Sequence, residues 1–141
     1  PTFVIGRGEP PEIVKDQPGI KVFQNVSNEV RDRLLGEAWC CIATSVREGW
    51  GRMVLEAASL GTTSVVYNVP GLRDAVIHEE TGLIVPESVE AMGKMLIDLL
   101  NDQQRLNLLS QNAYLKAQEF SWGSSINKFE HFLNELIYKC S

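Results

Sequence analysis

The sequence predicts an α/β domain: a Rossmann-like parallel sheet with helices on both faces, closed by a helical tail. Three observations carry that prediction. Short apolar runs alternate with stretches whose apolar residues recur at helical spacing. Glycine and proline punctuate the joins. From residue 88 onward the strand signals stop and only helical periodicity remains. Repeated β-α-β units imply parallel strands with covering helices.

Residues 2–5 form a brief apolar run stopped by Gly6, Arg7 and Gly8, which reads as a strand and a tight turn. A second strand is predicted at 20–23, after Pro18 and Gly19. Ser27 stands where an N-cap would, and Val30, Leu34, Leu35 and Ala38 follow at helical spacing. The continuous apolar run 40–44 reads as a buried strand. After a glycine-bearing loop, Met53, Val54, Ala57, Ala58 and Leu60 fit a buried helix ending at Gly61. A strand at 64–67 leads to a Pro70–Gly71 turn, a short helix through about Ile77, and a last strand at 82–85. Three amphipathic helices complete the chain. The first is marked by Met92, Met95, Leu96, Leu99 and Leu100, and the second by Leu106, Leu108, Leu109, Ala113 and Ala117. The third, 121–138, has Trp122, Ile126, Phe129, Phe132, Leu133, Leu136 and Ile137 as its apolar set.

The 141 residues fit one domain, and no linker divides them. Hydrophobic residues at 44% supply a core that needs no disulfide or metal staple. The net charge of -5 argues against nucleic acid as partner, because phosphate backbones need a basic footprint. It leaves room for one anion held by backbone amides. Cys40, Cys41 and Cys140 are an odd set without zinc spacing, so Cys40 and Cys41 read as small core residues in a reducing compartment. No apolar stretch is long enough to span a membrane, and no signal peptide opens the chain. His78 and His131 lack partners at ligand spacing and read as surface or satisfied histidines.

In an open parallel sheet, ligands bind beyond the carboxyl ends of the strands. Two loops fall there: 45–52 and 68–74. In the first, Gly49 and Gly51 permit close backbone approach, and the amides of Gly51, Arg52 and Met53 would lie at a helix start, favourable for phosphate. Glu48 is acidic in the same loop, which suits neutral hydroxyls such as those of a sugar. Glu56 follows eight residues later, and on one straight helix the two carboxylates would lie off a common face by about 80°. With Glu48 in the loop and Glu56 in the helix, both can point into one cleft. The blander alternative is structural: Glu48 caps the helix or answers Arg47 or Arg52, and Glu56 needs a partner amid Val54, Leu55, Ala57 and Ala58. Trp50, between two loop glycines, has little local core to join.

Residues 45–61 read S-V-R-E-G-W-G-R-M-V-L-E-A-A-S-L-G. This stretch resembles the E-x7-E signature of the retaining glycosyltransferases of family 4, the group 1 glycosyltransferases. The likeness continues through V-P-G-L-R-D-A-V at 69–76, E-T-G-L-I-V-P at 80–86 and F-S-W at 120–122, with F-V-I-G-R-G at 3–8 upstream. It implies the C-terminal half of a GT-B fold over residues 1–141, bound to a nucleotide diphosphate sugar donor. Sugar transfer would go, with retention, to a saccharide or lipid-linked acceptor. By resemblance, Glu48 is the catalytic residue, contacting donor-sugar hydroxyls, and Glu56 holds the ribose. Amides of Gly49, Trp50 and Gly51 would face the sugar, and those of Arg52, Met53 and Val54 the diphosphate. Departure of the diphosphate from the front face would need no protein nucleophile, no metal and no cofactor. The resemblance also implies a cytoplasmic parent, with any membrane contact made by the other half, and a final helix that crosses back to that half.

The chain departs from the family at Thr63, where proline is usual, and at Trp50 and Arg52, where Phe and an aliphatic residue are commoner. The family's basic pair that grips the diphosphate lies upstream of Phe3, and the N-terminal acceptor-binding domain is missing too, so the chain alone is expected to be inactive. Two other readings share the pattern: half of a GT-B sugar epimerase, and a non-catalytic Rossmann-like nucleotide or sugar-binding module.

Overall fold

The computed structural model describes residues 1–6, 8–10, 12–14 and 17–139, with the side chains of Trp122, Tyr138 and Lys139 left outside. The predicted turn residue Arg7, Cys140 and the Trp122 side chain therefore lie outside the described residues. All five predicted strands form: β1 (Thr2–Gly6), β2 (Ile20–Gln24), β3 (Cys41–Ala43), β4 (Ser64–Tyr67) and β5 (Gly82–Val85). The helices are α1 (Asn28–Gly36), α2 (Arg52–Ser59), α3 (Val89–Leu100), α4 (Gln103–Ala117) and α5 (Trp122–Lys139), with single 3₁₀ turns at Glu12–Val14, Arg73–Ala75 and Gln118–Phe120.

Local chemistry explains the boundaries. Ser27 Oγ accepts the Val30 N–H at 3.4 Å, Ser88 Oγ the Ala91 N–H at 3.3 Å, Asp102 Oδ1 the Arg105 N–H at 2.9 Å and Ser121 Oγ the Ser124 N–H at 3.1 Å, so four helix starts are side-chain capped. Gly61, at φ +82°, lets the chain turn out of α2. The short helix expected through Ile77 is only one 3₁₀ turn. Asp74 turns back to accept the Gly71 N–H, and Val76 is already extended.

Every strand pairing is parallel, as predicted, but the strands divide into a two-stranded ribbon β1-β2 and a three-stranded sheet in the order β3-β4-β5. All four residues of β4 are buried, so helices cover both faces of this central strand. α3 packs on β4 and β5, α2 on β3 and β4, and α4 on α2, α3 and β5. Val65, Leu83, Leu99 and Leu109 anchor the resulting core. Cys41 joins Leu35 and Ala57 in a second small cluster, which ties α1 to α2. No residue of β1 or β2 is buried. The tail is equally exposed: Ile126, Phe129, Phe132, Leu133, Leu136 and Ile137 of α5 all face outward among the described residues.

Candidate functional site

β3 ends at Ala43, and the chain crosses the carboxyl edge of the sheet as loop 45–51 before α2 begins. Gly51 is the N-cap of α2 and offers no side chain, so nothing from the cap itself satisfies the first-turn amides. Some are engaged by backbone. The Gly51 N–H donates to Gly71 C=O at 3.0 Å, the Arg52 N–H to Trp50 C=O at 2.6 Å and the Val54 N–H to Gly51 C=O at 2.9 Å. Of the six amides proposed from sequence, those of Gly49, Trp50 and Met53 have no partner among the described residues.

Loop 68–74 lies against the first loop. Gly71 is at φ +85°, and a Cβ there would overlap the Glu48 carbonyl, so only glycine lets the backbones meet. A Cβ at Gly51 would sit 3.1 Å from Ala75 Cβ and 3.2 Å from Gly71 C=O. The two glycines thus clamp the loops together, a contact that the sequence did not announce.

Glu48 is exposed, and its carboxylate has no hydrogen bond or ion pair among the described residues. It neither caps α2 nor answers Arg47 or Arg52. Arg52 and Met53 are exposed beside it, whereas the Val54 side chain belongs to the core. Trp50 is 40% exposed and leans on Phe120, with ring centroids 6.2 Å apart, which supplies the local partner it lacked in sequence.

Glu56, half-buried one turn into α2, faces α1. Its Oε2 lies 3.6 Å from Arg31 Nη1. Arg31 also donates through Nη2 and Nε to Asp32 Oδ1, at 2.7 and 3.0 Å. The Asp32 hydrogen bond holds the guanidinium above its ordinary pKa, desolvation opposes it, and the Glu56 charge adds to the rise. Sequence reasoning missed Arg31, although it sits four residues before Leu35 on a helix whose apolar stripe faces the core. A charge on such a stripe signals a partner.

The remaining candidates resolve simply. His78 Nδ1 accepts the Ile84 N–H at 2.9 Å, and exposed His131 lies 3.3 Å from Glu135. Burial pushes both the Cys40 and Cys41 thiols up to about 11, which fits inert core residues. Among the described residues no cluster of three or more His, Cys, Asp or Glu could hold a metal, and no helix is long and apolar enough to cross a membrane.

Known proteins resemble this chain in sequence and in fold. It is 28% identical over 141 residues to the poly(glycerol-phosphate) alpha-glucosyltransferase of Bacillus subtilis (strain 168), covering 95% of this chain and 21% of that protein. Sucrose-phosphate synthase from Thermosynechococcus elongatus superposes with a TM-score of 0.75 at 25% identity, over 85% of this chain and 31% of that one. HepE from Anabaena superposes at 0.75 with 16% identity, over 95% and 49%. The chain thus spans about a fifth of the curated relative and a third to a half of the solved ones. The family model for glycosyl transferases group 1 matches residues 12–116, and the chain belongs to that family.

Proposed function

We propose that this chain is the donor-binding, C-terminal half of a retaining glycosyltransferase that uses a nucleotide diphosphate sugar from the cytoplasmic pool and no cofactor. One observation carries the reading. At the carboxyl edge of β3, an uncapped helix start is preceded by a carboxylate without a partner among the described residues, Glu48, and followed by one held in place, Glu56 beside Arg31. Free N–H groups at a helix N-terminus favour a diphosphate, and the partial positive charge there falls off within a turn. Carboxylates accept from hydroxyls: Glu48 from the donor sugar, Glu56 from the ribose.

In this reading chemistry is departure of the diphosphate from the face that the acceptor then attacks. The protein stabilises the leaving charge through the free amides of Gly49, Trp50 and Met53 and through exposed Arg52. The structure of HepE in complex with UDP supports a nucleoside diphosphate in a fold of this kind. The acceptor, saccharide or lipid-linked, would meet a second domain carried by the rest of the parent, so this chain alone transfers no sugar.

The test is titration of the chain with UDP, GDP and ADP by calorimetry. A charge-assisted hydrogen bond contributes about 1.5–3 kcal/mol, so Glu56→Gln is expected to weaken the preferred diphosphate about 10- to 100-fold. Glu48→Gln should leave the free diphosphate unaffected and weaken only the nucleotide sugar. Unchanged diphosphate affinity in a folded Glu56→Gln chain would refute the ribose role.

A further inference from the structure

Loop 45–51 puts no large side chain into the core. Residues 44–50 are all exposed, and burial resumes only at Gly51. A stretch of that kind takes its geometry from lateral attachments, because nothing beneath it fixes one conformation. Two attachments are present among the described residues. Gly71 sits under the Glu48 carbonyl, and the Trp50 ring rests on Phe120. Gly49 lies between these two points, and its N–H and that of Trp50 have no partner among the described residues.

Phe120 reaches the loop from a distant part of the chain. α4 ends at Ala117, and one 3₁₀ turn, Gln118–Phe120, continues it. Ser121 is then extended, at φ -79° and ψ 152°, so the chain leaves the helix directly after the ring. The turn packs on α4, and α4 packs on α2. α4 is itself well anchored: Leu106, Leu109 and Ala113 are buried, and Asn112 Nδ2 donates to Glu80 C=O at 3.1 Å. Phe120 is 49% exposed, so it adds little to that packing. Its ring plane is tilted 52° from that of Trp50 at a separation where aromatic pairs attract. What the ring provides is a surface for Trp50 that is fixed to α4.

We infer that Phe120 is a positioning residue for the sugar end of the donor site: its ring braces Trp50 and so fixes where Glu48 and the Gly49 and Trp50 amides stand. The assignment to a sugar rests on the donor-site reading of loop 45–51, whereas the brace rests on the ring contact alone. α2 needs no such support, since it packs on β3, β4 and α4. The brace therefore divides the site. Glu48 and the loop amides depend on the turn after α4, while Met53 and Glu56 do not.

Two measurements test this. In the unliganded chain, Phe120→Ala should lower the amide order parameters of Gly49 and Trp50 from about 0.85 to below about 0.6, with Met53 unchanged. In calorimetry the same variant should weaken UDP-glucose about 3- to 10-fold more than UDP, the size of effect one aromatic pair supplies. These are the ligands carried by the HepE structures; GDP and ADP with their glucose conjugates serve if the chain prefers another base. Phe120→Tyr keeps the ring and should restore both readouts. Trp50→Leu should reproduce the loss, and combining it with Phe120→Ala should lose no more than either change alone. The inference is overturned if a folded Phe120→Ala chain keeps rigid Gly49 and Trp50 amides, if it loses UDP and UDP-glucose affinity equally, or if Phe120→Tyr fails to rescue. An unsubstituted chain that binds none of these ligands refutes the donor reading instead, and the order parameters still decide the brace.

Discussion

Leu83 and Val4 are both aliphatic residues inside parallel strands, and the fold treats them differently. Leu83 in β5 is fully buried, packed in the cluster with Val65, Val85 and Leu99. Val4 in β1 is half-buried, and among the described residues β1 has its one strand partner in β2. Strand pairing alone therefore does not make a core; layers on both faces do. The candidate site is hung on the well-packed side. Loop 45–51 springs from β3, loop 68–74 from β4, and α2 packs on both strands and on α4. Groups that must hold a ligand in fixed geometry are thereby placed on the stiffer part of the molecule.

The contrast can be broken by measurement. Leu83→Ala should cost about 3 kcal/mol, within the range for fully buried leucines, while Val4→Ala should cost about 1 kcal/mol or less. Urea denaturation of both chains decides it, and equal losses would place the ribbon inside the same cooperative core. Gly71→Ala should follow at about 2–3 kcal/mol, because it forces a left-handed residue and drives a methyl into the Glu48 carbonyl. It should also reduce diphosphate binding, since the Gly51–Gly71 bond goes with it; a normal midpoint and normal binding would show that the loops are independent. The buried thiols sharpen the contrast more gently. Both are held near 11 in the folded chain by burial, whereas exposed thiols ionise at about 8.5. Their folded pKa values lie above the unfolded ones, so the stability they contribute is complete below about pH 8.5 and declines as pH rises toward 11. Denaturation midpoints between pH 8 and 10.5 should fall in the parent and fall less in a Cys40→Ala, Cys41→Ala chain. Identical slopes would mean that the thiols are accessible.

Much of this was legible in the sequence because it is local. Ser27 and Ser88 cap their helices as hydroxyls do, Gly61 ends α2, and the run at 64–67 is uncharged because β4 is covered on both faces. Motif spacing likewise located the glycine loop before α2. What escaped depends on contacts distant in the chain. Arg31 meets Glu56 across 25 residues, and Gly71 meets the Glu48 carbonyl across 23; neither leaves a periodic trace. The division into two ribbons was hidden for a related reason. An apolar run records that a strand belongs in a sheet interior, not which neighbours are at hand. The stripe on α5 shows the same limit, since Phe129 and Phe132 mark an amphipathic helix without naming the surface it covers.

The contact of Gly71 beneath the Glu48 carbonyl makes the two loops one mechanical part. Each hangs from a different strand, yet neither can shift without carrying the other. A ligand that orders the Glu48 loop orders the Gly71 loop in the same event, and a sequence change at 69–72 alters how far Glu48 reaches without touching the ligand itself.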